Sequence, residues 1–245
     1  MKTKRHSGAW IITLIICLFS ITANAGWQDI LKEVTNKLEP STAVSEDDIA
    51  SALREALAVG TRNAVATVGR LDGFYADPDI KILLPPEVQQ VESLLRRAGF
   101  GSQVDSFILS MNRAAETAAP QARAIFLDAA SQITFADATT ILNGRDDEAT
   151  RYFQEKTSDP LTDLFTPIVH ESMASAGMTR AYQDLDAAMQ RIPFMSDRLR
   201  FDLDAYVTAQ ALDGIFVMVA KEEKLIRENP TARTTALLKK VFGTK

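Results

Sequence analysis

Residues 212–220 read Leu-Asp-Gly-Ile-Phe-Val-Met-Val-Ala, an apolar run within a longer helical pattern at 201–229. A helix that is apolar almost all the way round has to be surrounded by other helices. The pattern predicts a helix that starts near Asp202 or Asp204, where a carboxylate suits the positive end of the helix dipole. The helix is expected to end before Pro230, because the residue ahead of a proline avoids the helical region. We therefore expect one buried helix at the centre of the fold.

Two residues interrupt this apolar run, Asp213 and Gly214. A glycine inside a helix costs about 1 kcal/mol relative to alanine, so Gly214 predicts that a neighbouring segment approaches the helix backbone closely. Asp213 has two interpretations: a buried carboxylate held by an arginine, or one member of a hydrated polar stripe that includes Tyr206. An unpaired buried carboxylate is very costly, which favours the stripe.

The amino terminus has the three parts of a secretory signal peptide. Basic residues at positions 2, 4 and 5 precede an apolar run at 10–21, and Ala23-Asn24-Ala25 supplies small residues for cleavage. The apolar run is shorter than the roughly 20 residues of a transmembrane helix. We predict cleavage after Ala25, export to the periplasm and no stable transmembrane segment in the mature protein.

Removing this leader changes the charge of the chain. The leader holds three basic and no acidic residues, so the mature chain has 24 basic and 32 acidic side chains, a net charge of −8. It also loses Cys17, the only cysteine, so the exported protein has no disulfide and is held together by packing. The acidic balance disfavours binding to nucleic acid or to anionic lipid.

Helical patterns occupy most of the mature chain. A short amphipathic helix and a linker are expected at 26–44, followed by a single α-helical domain at 45–245. Ser45 with Asp48 resembles a capping box before an apolar stripe of period three and four. Gly99 is expected to end one helix, and Ser102 to cap the next. No strand-like alternation is long enough to build a sheet, so the predicted fold is an all-α multi-helix bundle.

Three further features qualify this prediction. Thr134 with Asp137 three residues later predicts the start of a short helix. Pro160 suits the first turn of a separate helix, with a kink at Pro167. Residues 70–86 are rich in turn formers and predict an irregular loop that packs on the bundle, with a short β ribbon as an alternative.

Few residues with metal-binding or nucleophilic chemistry remain in the mature chain. His170 is its only histidine, so zinc, copper, haem and iron–sulfur sites lack their usual ligands and we expect no cofactor. No Ser-His-Asp or Cys-His arrangement and no phosphate-binding glycine loop is present. His170 is interpreted as a surface residue or one that is hydrogen-bonded nearby.

The strongest polar motif is Met-Asn-Arg-Ala-Ala-Glu at 111–116. Asn112 and Glu116 are four residues apart, and Arg113 and Glu116 three, so these side chains can meet on one helix. We expect Arg113 to seek a carboxylate from elsewhere, supplied by Asp213 or Asp137. The cluster is either a ligand-binding or acid–base site or a polar network that fixes the register of the helices, and the network is favoured. The candidate binding residues are Asn112, Arg113, Glu116, Asp137, Tyr206 and Asp213.

Several motifs in the same order resemble the bacterial exported family known as domain of unknown function 4197. They lie at 111–116, 137–138, 141–144, 149–153, 206–208, 212–227, 232–235 and 238–242. The resemblance covers about residues 45–243 and implies an exported α-helical protein, but it implies no activity and no catalytic residue.

Three functions are compatible with these features. The first is a non-enzymatic periplasmic protein that binds a protein partner or an envelope component. The second is a carrier that holds an amphiphilic small molecule between helices, which requires a sizeable apolar cavity. The third is an enzyme that uses carboxylates, which requires several of the candidate side chains to converge in an open pocket.

Overall fold

The computed structural model describes residues 45–175, 178–191, 202–229 and 239. The α-helices in these ranges are α1 (Glu46–Val68), α2 (Pro86–Leu95), α3 (Gly101–Ala118), α4 (Ala122–Ser131), α5 (Phe135–Asn143), α6 (Glu148–Ser175), α7 (Met178–Gln190) and α8 (Leu203–Glu228). A short segment, Arg96–Phe100, joins α2 to α3 with a kink at Gly99, and a 3-10 turn, Ala119–Gln121, joins α3 to α4. The described ranges contain no strand, which confirms the all-α prediction.

The predicted signal peptide at 1–25 and the predicted helix and linker at 26–44 lie outside the described residues.

Helix α8 is the central apolar helix. Its side chains at 212, 215, 216 and 219 are buried, and the helix packs against α1, α3 and α6. The ring of Phe216 meets Phe126 of α4 edge-on at 5.8 Å, and Phe126 lies 5.6 Å from Phe153 of α6. Among the described helices, α8 alone is long and apolar enough to cross a membrane by length and composition. Its burial against three neighbours is that of the core helix of a bundle.

Local caps define several helix ends as expected. Ser45 and Asp48 form a capping box at the start of α1, and Thr134 and Asp137 form a second one at the start of α5. The carboxylate of Asp202 accepts a hydrogen bond from the N–H of Ala205 and so caps α8. These contacts satisfy amide groups that have no partner within the helix.

The helical boundaries differ from expectation at two places. Helix α6 runs without a break through Pro160 and Pro167, so the separate helix expected from Pro160 does not exist. A proline inside a helix removes one hydrogen bond, but the apolar stripe of α6 continues on both sides and packs on α8. In addition, α3 begins at Gly101 with Phe100 at its N-cap, so Ser102 lies in the first turn and is not the cap. Gly99 does end the preceding helical segment, because its φ of 91° is left-handed.

Residues 69–85, called the 69–85 loop below, connect α1 to α2 through a series of turns and a segment without regular secondary structure. The short β ribbon considered for this part of the chain does not form. Side chains from α3 and α8 bind the loop backbone instead.

Candidate functional site

Asn112 of α3 binds both backbone groups of one loop residue. Its Oδ1 accepts a hydrogen bond from the N–H of Ile82 at 2.9 Å, and its Nδ2 donates to the carbonyl of Ile82 at 2.8 Å. Nδ2 also donates to the carbonyl of Ile108, one turn earlier in α3. Asn112 and Ile82 are both buried. The Asn112 amide therefore satisfies both backbone groups of Ile82, as a neighbouring β-strand would.

Glu116, one turn further along α3, binds the first half of the loop. Its Oε1 accepts hydrogen bonds from the N–H groups of Phe74 at 3.1 Å and Tyr75 at 3.2 Å. Its Oε2 accepts from Nη1 of Arg113 at 2.6 Å. The Glu116 side chain is only 5% exposed, and both of its oxygens accept hydrogen bonds from buried or partly buried donors.

Arg113 joins this carboxylate to the turn at the start of the loop. Its Nη2 donates to Oδ1 of Asp72 at 2.6 Å. Asp72 has a φ of 63°, a left-handed conformation that aspartate tolerates better than most residues. Burial opposes the charge on Arg113, but its hydrogen bonds to Asp72 and Glu116 outweigh this and raise the pKa of the guanidinium. Asp72 is thus the external carboxylate that we expected Asp213 or Asp137 to supply.

Helix α8 holds the other side of the 69–85 loop. The hydroxyl of Tyr206 donates to the carbonyl of Leu83 at 3.0 Å. Two turns later, the ring of Phe74 lies against Gly214, where an added Cβ would be 2.5 Å from Cε1 of that ring. The close approach predicted from Gly214 is therefore made by a side chain of the loop.

Further along α8, an ion pair fixes the middle of the loop. Nζ of Lys221 lies 2.6 Å from Oδ2 of Asp79 and 3.7 Å from Oδ2 of Asp77. The hydrogen bond to Asp79 is the main reason that the pKa of Lys221 is raised. Within the loop itself, Lys81 lies over the ring of Tyr75 at 3.8 Å from its centroid. The loop is thus bound at several points along its length on both α3 and α8.

The candidate residues separate into two groups. Asn112, Arg113, Glu116 and Tyr206 converge on the backbone and turns of the 69–85 loop. Asp213 is exposed on α8, as the polar-stripe interpretation predicted, and Asp137 belongs to the capping box of α5. The expectation that either aspartate pairs with Arg113 is therefore wrong. The polar network fixes a loop, whereas we expected it to fix the register of helices.

One buried ionic network was missed by the sequence. Glu223 accepts hydrogen bonds from the N–H groups of Ala149 and Thr150 at the start of α6, and from the Thr150 hydroxyl. Arg227 donates to Glu223 and to the carbonyl of Ile141 in α5. A charged pair spaced four residues apart is typical of an exposed helix face, but here Glu223 is only 5% exposed and Arg227 only 15% exposed. The sequence does contain one indication that Glu223 is buried. It shares a helix face with apolar residues one turn before and one turn after it.

His170 is exposed on α6, as expected. Its Nδ1 lies 2.7 Å from Oδ2 of Asp204, near the start of α8. This contact joins α6 and α8 at the exposed surface of the bundle.

Two leucines of the 69–85 loop face the solvent. Leu71 is 73% exposed and Leu83 is 51% exposed, the highest values among the large hydrophobic residues of the described ranges. Both belong to the segment that α3 and α8 hold in place. The site therefore presents apolar side chains on an ordered loop.

A small apolar cavity lies between α1 and α8. It measures about 20 Å³, near the size of one water molecule. A wider groove of about 590 Å³ runs between α4 and α6, but Asp128, Asp137 and Lys156 are among the residues that line it.

The family model described as "Protein of unknown function (DUF4197)" matches residues 43–243, which include all the described residues. Comparison with curated proteins gave no match. Comparison with solved structures gave none either. The chain therefore belongs to the DUF4197 family of proteins of unknown function.

Proposed function

We propose that this protein is an exported, non-enzymatic binding protein of the bacterial envelope, which recognises a protein partner through the 69–85 loop. The observation that carries the proposal is the combination of a firmly held loop with exposed Leu71 and Leu83. Surface loops positioned by a rigid scaffold are common binding elements. Exposed apolar side chains are the groups that a partner can remove from water with a gain in free energy.

The contacts that order the 69–85 loop support its proposed role in binding a protein partner. Asn112, Glu116 and Tyr206 bind its backbone, and Arg113 and Lys221 bind its carboxylates. A loop that is already ordered loses little conformational entropy when it binds. A protein partner is favoured over an anionic lipid surface because the mature chain has a net charge of −8.

The two alternative functions have less support. A carboxylate-based enzyme would need Glu116 and Arg113 in an open pocket. Both side chains instead form hydrogen bonds with the 69–85 loop and with each other. For a carrier of amphiphiles, the bundle needs an apolar cavity in the range of about 300–1,000 Å³. The apolar cavity between α1 and α8 is far smaller.

Site-specific photocrosslinking in living cells tests the proposal. A photoreactive amino acid is placed at Leu71, with a matched position at Leu127, which is 38% exposed on α4. We expect a discrete adduct with one protein from position 71 and none with that protein from position 127. The adduct at position 71 should fall sharply when Leu83→Asp removes the second exposed apolar group.

A second variant tests whether the hydrogen bonds that hold the 69–85 loop are needed for partner binding. Asn112→Ala removes the hydrogen bonds to Ile82 and should weaken the adduct while Leu71 and Leu83 remain. Equal adducts from positions 71 and 127, or an adduct unaffected by Leu83→Asp, would contradict recognition by the loop. Export is tested separately by mass spectrometry of the protein from the periplasm, with Gly26 as the expected first residue.

A further inference from the structure

The groove between α4 and α6 has the dimensions of a small-molecule site. Its volume of about 590 Å³ falls within the range typical of ligand pockets. Ile125 and Ala129 from α4 and Pro160 from α6 supply apolar walls. The groove is remote in sequence from the 69–85 loop, so it stands independently of the binding role proposed for that loop.

Charges of both signs line this groove. Lys156 contributes an ammonium group, while Asp128 and Asp137 contribute carboxylates. Lys156 and Asp137 interact electrostatically, and the positive charge helps to lower the pKa of Asp137 after the larger effect of its hydrogen bonds from Thr134. A ligand that carries separate positive and negative charges would match this arrangement.

The groove also contains hydrogen-bonding groups suited to an amide. Pro160 has no N–H, so the carbonyl of Lys156 lacks its usual donor four residues later in α6. Gln132 contributes a side-chain amide, whose Nε2 donates to Oδ2 of Asp128 at 2.8 Å. Burial raises the pKa of Tyr152, so its hydroxyl remains a donor at neutral pH. These groups can bind the N–H and C=O groups of a peptide.

We infer that this groove binds a short peptide of two or three residues with free termini and an apolar side chain. Lys156 binds the terminal carboxylate, and Asp128 and Asp137 bind the terminal ammonium group. The apolar side chain lies against Ile125 and Pro160, while the side-chain amide of Gln132 binds the peptide backbone.

Calorimetric titration of the exported protein with the tripeptide Ala-Leu-Ala tests this inference. We expect saturable binding in the micromolar-to-millimolar range. Lys156→Gln should weaken it about ten-fold, the usual effect of losing one charge-assisted hydrogen bond. Asp128→Asn should weaken it in the same direction. The N-acetylated and C-amidated form of the same tripeptide should bind more weakly than the free form.

Lys224→Gln is the matched control, since Lys224 is an exposed lysine of α8 that does not line the groove. It should leave the affinity unchanged. Circular dichroism of each variant checks that the fold is intact. Absence of saturable binding at millimolar tripeptide would overturn the inference. So would equal affinity in the wild type and Lys156→Gln, or equal binding of the free and blocked tripeptides.

Discussion

Gly214 shows how one residue positions a distant segment. Its Cα is part of the central helix, and the missing side chain leaves the space in which Phe74 of the 69–85 loop is buried. An added Cβ would also lie 3.2 Å from Cβ of Ile80. The helix therefore accepts the propensity cost of a glycine because the loop packs directly on its backbone.

Gly214→Ala is expected to lower the free energy of unfolding by about 1–3 kcal/mol, because overpacking outweighs the gain in helix propensity. Urea unfolding measures the change. Gly60→Ala is the matched control, since a Cβ there would meet its nearest neighbour, Cβ of Glu222, at 3.4 Å, an ordinary contact. It should be neutral or stabilise by up to about 1 kcal/mol. Equal destabilisation by both substitutions would contradict the packing described for Phe74.

Asp137 gives a prediction for pH dependence. Hydrogen bonds from the side chain and then the backbone of Thr134 lower the pKa of its carboxyl group in the folded state. A lowered folded-state pKa means that the carboxylate stabilises the fold at neutral pH. That contribution is lost as the pH falls through the folded-state pKa.

Asp137→Asn should therefore reduce stability by about 0.5–1 kcal/mol at neutral pH, the usual value of a charge at a helix N-terminus. The difference from wild type should shrink as the pH falls from about 4, the ordinary pKa of an unfolded aspartate, through the lower folded-state pKa of Asp137. Urea unfolding at a series of pH values provides the measurement. A difference that stays constant with pH would show that the charge of Asp137 does not contribute.

At the scale of elements, α8 connects to its neighbours through two kinds of contact. Its apolar face packs against α1, α3 and α6. Its last turns carry Glu223, which accepts hydrogen bonds from the first amides of α6, and Arg227, which donates to the last turn of α5. The carboxylate thus performs the role of an N-cap from a different helix.

Glu223→Ala is expected to cost about 3 kcal/mol or more, because it leaves the buried amide donors of α6 without their acceptor and removes the carboxylate that pairs with Arg227. Chemical unfolding tests this. The control is Glu228→Ala, which removes an exposed partner 3.9 Å from Lys224 in the same helix and should change stability by less than about 0.5 kcal/mol. A small effect of Glu223→Ala would mean that water replaces the carboxylate at the start of α6.

The 69–85 loop is the element whose order depends most on side chains from elsewhere. Asn112→Ala should increase the rate of amide hydrogen exchange at Ile82 by at least about ten-fold, since this hydrogen bond is worth about 1–3 kcal/mol when buried. Exchange in the middle of α6 should stay unchanged. A uniform increase throughout the protein would instead indicate that the substitution destabilises the whole fold.

At the scale of the molecule, the described fold is a helical bundle held by packing and by two buried polar networks. Residues 26–245 contain no cysteine. A chain cleaved after Ala25, as we propose, would therefore be stabilised by noncovalent contacts alone.

An excess of dithiothreitol should leave the thermal unfolding midpoint of the proposed mature chain, residues 26–245, unchanged, as measured by circular dichroism. A secreted protein of comparable size with a structural disulfide is the control and should unfold earlier. A lower midpoint for this protein would contradict stabilisation by noncovalent contacts alone.

The sequence by itself determined the features that arise from neighbouring residues. The capping boxes at Ser45 and Thr134, the cap at Asp202 and the apolar central helix follow from contacts within about one helical turn and from the period of the apolar residues. Such interactions leave a pattern that is local in the chain.

Only the tertiary structure decided what the polar side chains do. Asn112 binds a residue 30 positions away, Glu116 one 42 positions away and Glu223 one 74 positions away. The continuity of α6 through its prolines likewise depends on packing against a helix that follows later in the chain. The sequence pattern around a carboxylate or an amide is the same whether the side chain is exposed to water or buried in a network. Its hydrogen-bonding partners become its neighbours only when the chain has folded.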